Sequence, residues 1–327
     1  LLSTGRNEPY VIKLYYLPGF FVTKRLATGA FFMLRLSALN LRHLKGSGRK
    51  AGYRPVFQRP ARRYDLPETI RGVEPKPSSL KYLRRTLYCN PCAPAVAAMA
   101  GRLGARKLPE REYAAAAFEF VKRNICIEIL PLDEAETTLE RGTGTCLHKL
   151  SLLIALCRAA GIRSRYKLYV LSSADTLGQT LGNDPAAQKR YNELGRLLFH
   201  GEAEILLDNA WVACSPGLSD ERQASLNLPI TRFGEQALGV WYSAEPGSIT
   251  TAESIPYGMN ILMKTAARMA PSIIDRANLS LAQQCRRGRA ILEDAGETAY
   301  DATARTLARQ SSPEIIMSER QEIRFEK

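Results

Sequence analysis

Through the middle of the chain, apolar residues first recur at the helical step and then change to strict alternation. Residues 94–103 and 109–124 read as helices, the second opened by Glu110 and Glu112. Residues 127–140 read as loop with a short helix. From 146 to 160, Leu150, Leu153, Ile154 and Cys157 fall at steps of three and four. Leu147, Leu152, Ala155 and Leu156 fill much of the remaining surface, so this helix is buried on most sides. Thr143 or Thr145 can cap its start, and Gly161 stands where a C-terminal glycine belongs. A strand follows near 165–172. Residues 173–199 are longer than a simple connection and contain a helical stretch at 186–198. Alternation then begins. Ala203, Ile205 and Leu207 face one side of a strand, and His200, Glu202, Glu204 and Leu206 face the other. Asp208, Asn209 and Ala210 turn the chain, and 211–214 returns as a second strand. After a loop to about 245, residues 259–270 and 279–295 read as helices, and 296–327 as a polar tail. No internal repeat interrupts this plan.

Charge sharpens the division. Residues 1–110 hold 21 basic against 5 acidic side chains, while the whole chain carries +14, so the excess lies entirely in the first third. Arginine, proline and glycine dominate from residue 45 to about 80. Three regions follow: a basic N-terminal extension at 1–93, a core at 94–245, and a C-terminal helical extension at 246–327. The preferred reading of the basic flank is a solvated surface packed on the core. An acidic carrier protein or an anionic membrane surface comes second, with an amphipathic helix around 20–35. Nucleic acid comes last: Tyr53, Phe57 and Tyr64 interleave with arginines, but no recognition motif appears.

Composition sets outer limits. The chain has 327 residues, enough for one enlarged domain or two. Its longest apolar stretch, 26–41, is broken by Arg35, which argues against a transmembrane segment. Seven cysteines without a framework fit a reducing, cytoplasmic setting. Cys89-Asn90-Pro91-Cys92 has no second pair and no histidine beside it, so no metal is expected there, and no cofactor motif is present. Cys126, Cys157 and Cys285 read as inert small hydrophobes.

Cys146 is different. It follows Gly142-Thr143-Gly144-Thr145 and lies in the first turn of the buried helix. Free backbone N–H groups and the helix dipole favour an anion there, whether a thiolate or the oxyanion of a tetrahedral intermediate. Of the three histidines, His43 has no partner pattern. His148 lies two residues from Cys146 on the same helix, nearly on its opposite side. His200, at the end of the hairpin, is the candidate base. Glu202 and Glu204 are read as solvated strand residues, or as binders of a cationic substrate group.

These pieces resemble the transglutaminase-like (papain-like cysteine) superfamily. The resemblance rests on Gly144-Thr145-Cys146 with its apolar helix, on 158–165 leading into a strand, and on His200 with Glu204. Trp211-Val212 with Ser215-Pro216 and the helix and loop at 118–139 complete it, so that it covers about 94–245. It implies an α+β core in which the nucleophile helix packs on an antiparallel sheet. It also implies acyl transfer through a thioester on Cys146 with His200 as base, on an acyl, peptide or amide substrate. Water as acceptor gives an amidase or peptidase, and an amine gives a transamidase or amide synthase. The family usually carries Asp where this chain has Ser215. Ser215 is ranked first as a weak orienter of His200, and Asp220 second as its substitute. The alternative is a binding or scaffold domain that kept the fold without the reaction.

Overall fold

The computed structural model describes residues 55–68, 78–171, 199–237, 244, 248–256, 260, 263–264, 267–268 and 271–311. The insertion at 173–199, apart from its last residue, the amphipathic stretch at 20–35 and most of the expected helix at 259–270 lie outside these residues.

The described chain is a mixed α+β structure. Its helices are α1 (Pro94–Arg102), α2 (Glu110–Asn124), α3 (Ala135–Arg141), α4 (Cys146–Ala159), α5 (Asp220–Ser225), α6 (Pro271–Ala295) and α7 (Glu297–Ser311). Strands β1 (Cys126–Ile127) and β2 (Thr143–Gly144) form a short parallel pair. Strands β3 (Ser164–Val170), β4 (Phe199–Leu207), β5 (Ala210–Cys214) and β6 (Thr250–Ala252) form an antiparallel sheet in the order β5-β4-β3-β6. The β4–β5 turn is the two-residue kind, with Asp208 and Asn209 at φ 51° and 61°.

The core sits around α4, every residue of which from Leu147 to Ala159 is buried. α1, α2 and α3 pack on it from one side and β3 and β4 from the other. Tyr166, Leu168, Ala203, Ile205 and Leu207 form the inner face of the sheet against it, and the Tyr166 hydroxyl donates to Ser151 on α4 at 3.0 Å. Gly201 permits the close approach. A Cβ there would stand 2.8 Å from the Lys167 carbonyl oxygen and 3.2 Å from Leu150 Cδ1. Leu150 of α4 therefore lies against β4 beside His200, and Cys146, one turn earlier, reaches the start of that strand.

Three features depart from the sequence reading. The helix expected at 279–295 begins at Pro271. The region expected to be a polar tail forms α7, because Tyr300 and Ala304 fall on one face. Tyr300 donates to the Leu228 carbonyl at 2.9 Å, and Asp301 accepts from the Ile230 N–H at 2.8 Å. Finally, β6 lies beyond residue 245 yet completes the sheet by pairing with β3.

The C-terminal helices also hold extended backbone. The Asn278 amide accepts from the Ile129 N–H at 2.6 Å and donates to the Ile129 carbonyl at 3.1 Å. Asn260 does the same at Leu132, at 2.9 Å each way. Asp275 accepts from the Val56 and Phe57 N–H groups at 2.9 Å. The described arginines near the chain start turn inward too. Arg59 makes a bidentate pair with Glu128, Arg63 pairs with Glu221, and Arg84 with Glu253. This part of the basic flank fastens to the core.

Candidate functional site

The site begins at the N-terminus of α4. Thr145 is the N-cap, and its hydroxyl accepts from the His148 N–H at 3.4 Å. The Thr145 N–H donates to His148 Nδ1 at 3.1 Å. This is a capping box with histidine in the place usually taken by Glu or Gln. It requires Gly144, since a Cβ there would fall 2.5 Å from His148 Cβ. His148 Nε2 in turn accepts from the Asp133 N–H at 3.3 Å and lies 3.3 Å from Asp133 Oδ1. Arg141 holds the other Asp133 oxygen at 2.5 Å. Burial opposes ionisation of Asp133, but the His148 and Arg141 contacts outweigh it and hold its carboxyl down at about 2. A second bracket grips β2: the Thr143 hydroxyl donates to Glu128 at 2.5 Å, and Glu128 is held by Arg59. The entry to the helix is thus fixed on both sides by charged hydrogen bonds.

His200 arrives from the opposite direction, on the outer face of β4. Its cross-strand neighbour is Tyr169, whose ring lies edge-on to the imidazole with centroids 5.7 Å apart. Tyr169 joins Leu171, Leu228 and Ala237 in a small second core, so the segment 218–237 roofs this face.

Cys146 and His200 meet at Gly217. A Cβ on Gly217 would lie 3.2 Å from Cys146 Cβ, 3.3 Å from His200 Cε1 and 3.7 Å from His200 Nε2. Helix α4 and strand β4 therefore bring these two side chains to one point, and the absence of a side chain at 217 leaves it open.

The electrostatics differ from the sequence expectation of a readily ionised thiol. Burial pushes the Cys146 thiol up to about 11. The N–H groups of Leu147 and Cys146 and the Lys149 charge pull the other way without prevailing. Burial also lowers His200 to about 4. With these shifts the pair rests at neutral pH as thiol and neutral imidazole.

The candidate orienters separate. Both Asp220 oxygens are taken, one by the buried Lys122 ammonium and the other by Arg123 Nε at 3.0 Å. The expectation that Asp220 reaches in to His200 is corrected by this pairing, which ties α5 to α2. Ser215 is buried, and among the described residues no hydrogen bond joins it to His200. The substrate-binding expectation for Glu202 and Glu204 is also corrected. Glu202 is fully buried, and its Oε1 accepts from the Ala237 N–H at 2.7 Å. Glu204 pairs with Arg165 at 2.6 Å, and that guanidinium lies 4.0 Å from the Trp211 ring centroid. Among the described residues no cluster of His, Cys, Asp or Glu could hold a metal, and no helix is long and apolar enough to cross a membrane.

His148, Gly201 and Gly217 do not stand out in the sequence as parts of the site. Thr145 and His148 do stand at capping-box spacing, the one available signal. The two glycines act through what approaches them across the fold.

The sequence model of the transglutaminase-like superfamily matches residues 97–216, a span holding Cys146, His200 and Ser215. This stretch is similar to a transglutaminase-like core, and its fold is of the α+β kind. Among solved structures, a provisionally named cysteine protease from Cytophaga hutchinsonii aligns at 18% identity and a TM-score of 0.31. The alignment covers 42% of this chain and 40% of that one, so the chain spans less than half of that protein's structure. No curated protein matches the chain.

Proposed function

We propose that the protein is a cysteine-dependent acyl-transfer enzyme with Cys146 as nucleophile and His200 as its base. The observation that carries this reading is the meeting of both side chains at Gly217. As Cys146 Sγ attacks a substrate carbonyl, its proton passes to the imidazole. The N–H groups of Cys146 and Leu147, at the helix start, face the oxyanion that forms. Collapse of the tetrahedral adduct breaks the bond to the leaving group, which takes the proton from His200, and leaves a thioester on Cys146. Water or an amine then accepts the acyl group while His200 removes its proton. Docking of an acidic acyl carrier by the basic N-terminal region would suit aminolysis.

A second reading, a binding domain that kept the fold, is favoured by one observation: a hydroxyl, Ser215, stands where the superfamily usually places a carboxylate. Intact-mass analysis separates the two. After exposure to activated acyl thioesters and esters, wild type gains one acyl mass located on Cys146. His200→Ala gains it at least about a hundredfold more slowly, and Cys146→Ser not at all. Slow labelling that is indifferent to His200 would sink the catalytic reading.

A further inference from the structure

We propose that the carboxylate displaced from position 215 is supplied from across the strand pair by Glu202, as a positioning residue for His200. The inference rests on the Cys146–His200 reading above and names the group that completes it.

The β4–β5 ladder carries the argument. The ladder ends with Ala203 paired to Cys214; counted on past the end of β5, Ser215 comes level with Glu202 and Gly217 level with His200. The second of these is met by a contact, since a Cβ on Gly217 would lie 3.3 Å from the His200 ring. On the other side of β4, Lys167 pairs with Glu202 and Tyr169 with His200. The outer face of the sheet thus carries two adjacent rows, Lys167 with Glu202 and Tyr169 with His200, and Gly217 follows β5 to the His200 end of the second. An aspartate at 215 would be a diagonal neighbour of His200. In this chain the available acid, Glu202, lies on the strand of His200 itself, two residues away on the same face.

A fully buried carboxylate needs a reason to be there. Ala237 fixes one of its oxygens through its N–H, at 2.7 Å. Ala237 itself packs in the small core with Tyr169, which flanks the His200 ring. Among the described residues, Lys167 from β3 lies 3.8 Å from Glu202 Oε2, the buried Cys214 thiol of β5 feels its charge, and His200 stands two places along its own strand. Tyr169 flanks the His200 ring, and Cys146 shares the Gly217 point with it. A carboxylate in this position favours the imidazolium that forms when Cys146 gives up its proton. It acts through the charged row, without needing the direct bond to the ring that an aspartate at 215 would make.

The test moves the charge and reads the histidine. Ring signals of His200 are followed by NMR against pH in wild type, Glu202→Gln, Lys167→Gln and the double variant Glu202→Gln/Ser215→Asp, each checked for cooperative melting. Alongside, the pH profile of Cys146 acylation is recorded. Neutralising Glu202 should move the His200 titration to lower pH. It should also slow acylation about ten- to a hundredfold, less than the ~10⁴ lost when the acid bonded directly to a triad histidine is neutralised. Adding Asp at 215 should restore both. Lys167→Gln should move the titration upward, because the carboxylate is then less compensated, and this arm stands even if Glu202→Gln does not fold. An unchanged His200 titration in both folded single variants would overturn the proposal. The ring titration is read without turnover. An inactive wild type would therefore remove the acyl-transfer reading, while the Glu202–His200 coupling would stand or fall on the titration alone.

Discussion

The two halves of the candidate site are held by different physics. On the helix side, Cys146 is positioned by polar redundancy: Thr145, His148, Asp133 and Arg141 form one chain of hydrogen bonds, and Thr143, Glu128 and Arg59 form another. On the sheet side, His200 is positioned mainly by fit. Gly201 lets α4 touch β4, Gly217 leaves room for the Cys146 and His200 side chains, and Tyr169 braces the ring. The helix side should yield by degrees as bonds are removed. The sheet side should fail abruptly when volume is added.

The sharpest way to break this contrast is Gly201→Ala. The new methyl would meet the Lys167 carbonyl oxygen, which cannot swing aside as a side chain can. A loss of about 3 kcal/mol in denaturant unfolding, together with loss of Cys146 acylation, is expected. Asp133→Ala comes next. It strands Arg141 and the buried His148, and should cost about 2 kcal/mol by the same measurement while leaving residual acylation. His148→Ala leaves the Thr145 cap in place but removes the imidazole that accepts from the Thr145 N–H and reaches Asp133, and should cost about 1 kcal/mol. Equal losses for Gly201→Ala and His148→Ala would erase the distinction.

A further expected effect depends on pH. The folded value of His200, about 4, lies below its ordinary 6.5, so the stability that this group contributes is present above 6.5 and is lost as pH falls through 4. Asp133, lowered from 3.8 to about 2, contributes stability that is complete above 3.8 and is lost as pH falls from there through 2. Mild acid should therefore loosen the sheet side first. Amide hydrogen exchange at pH 5 should rise around β4 while the start of α4 stays protected. At the other extreme the Cys146 thiol, raised from 9.0 to about 11, contributes stability below pH 9 that is lost as pH rises through 11.

Much of the architecture was legible from period and punctuation. The buried helix at 146–160, the hairpin about Asp208 and Asn209 and the strand near 165 are local features, and their signals lie within a few residues of one another. Cys146 and His200 stood out because each sits at an element terminus. The charged partners were not legible. Arg59 with Glu128, Lys122 with Asp220, and Asp301 with Ile230 are joined across 69, 98 and 71 positions, and nothing in a linear pattern pairs them. The same gap misled the reading of Glu202 as solvated. Alternation identified its face, but the covering segment at 218–237 comes later in the chain. The thiol expectation erred for a related reason: helix-start amides are visible in sequence, and the depth of burial that opposes them is not.

The side-chain amides of Asn260 and Asn278 bear on how the chain can be handled. Each satisfies one peptide unit of 129–132 as a neighbouring strand would. A protease cut or a truncation near residue 250 would strip these substitutes and leave bare, apolar backbone open to a second molecule. Trimming the protein to its family-like segment would therefore favour clumping over a smaller soluble enzyme.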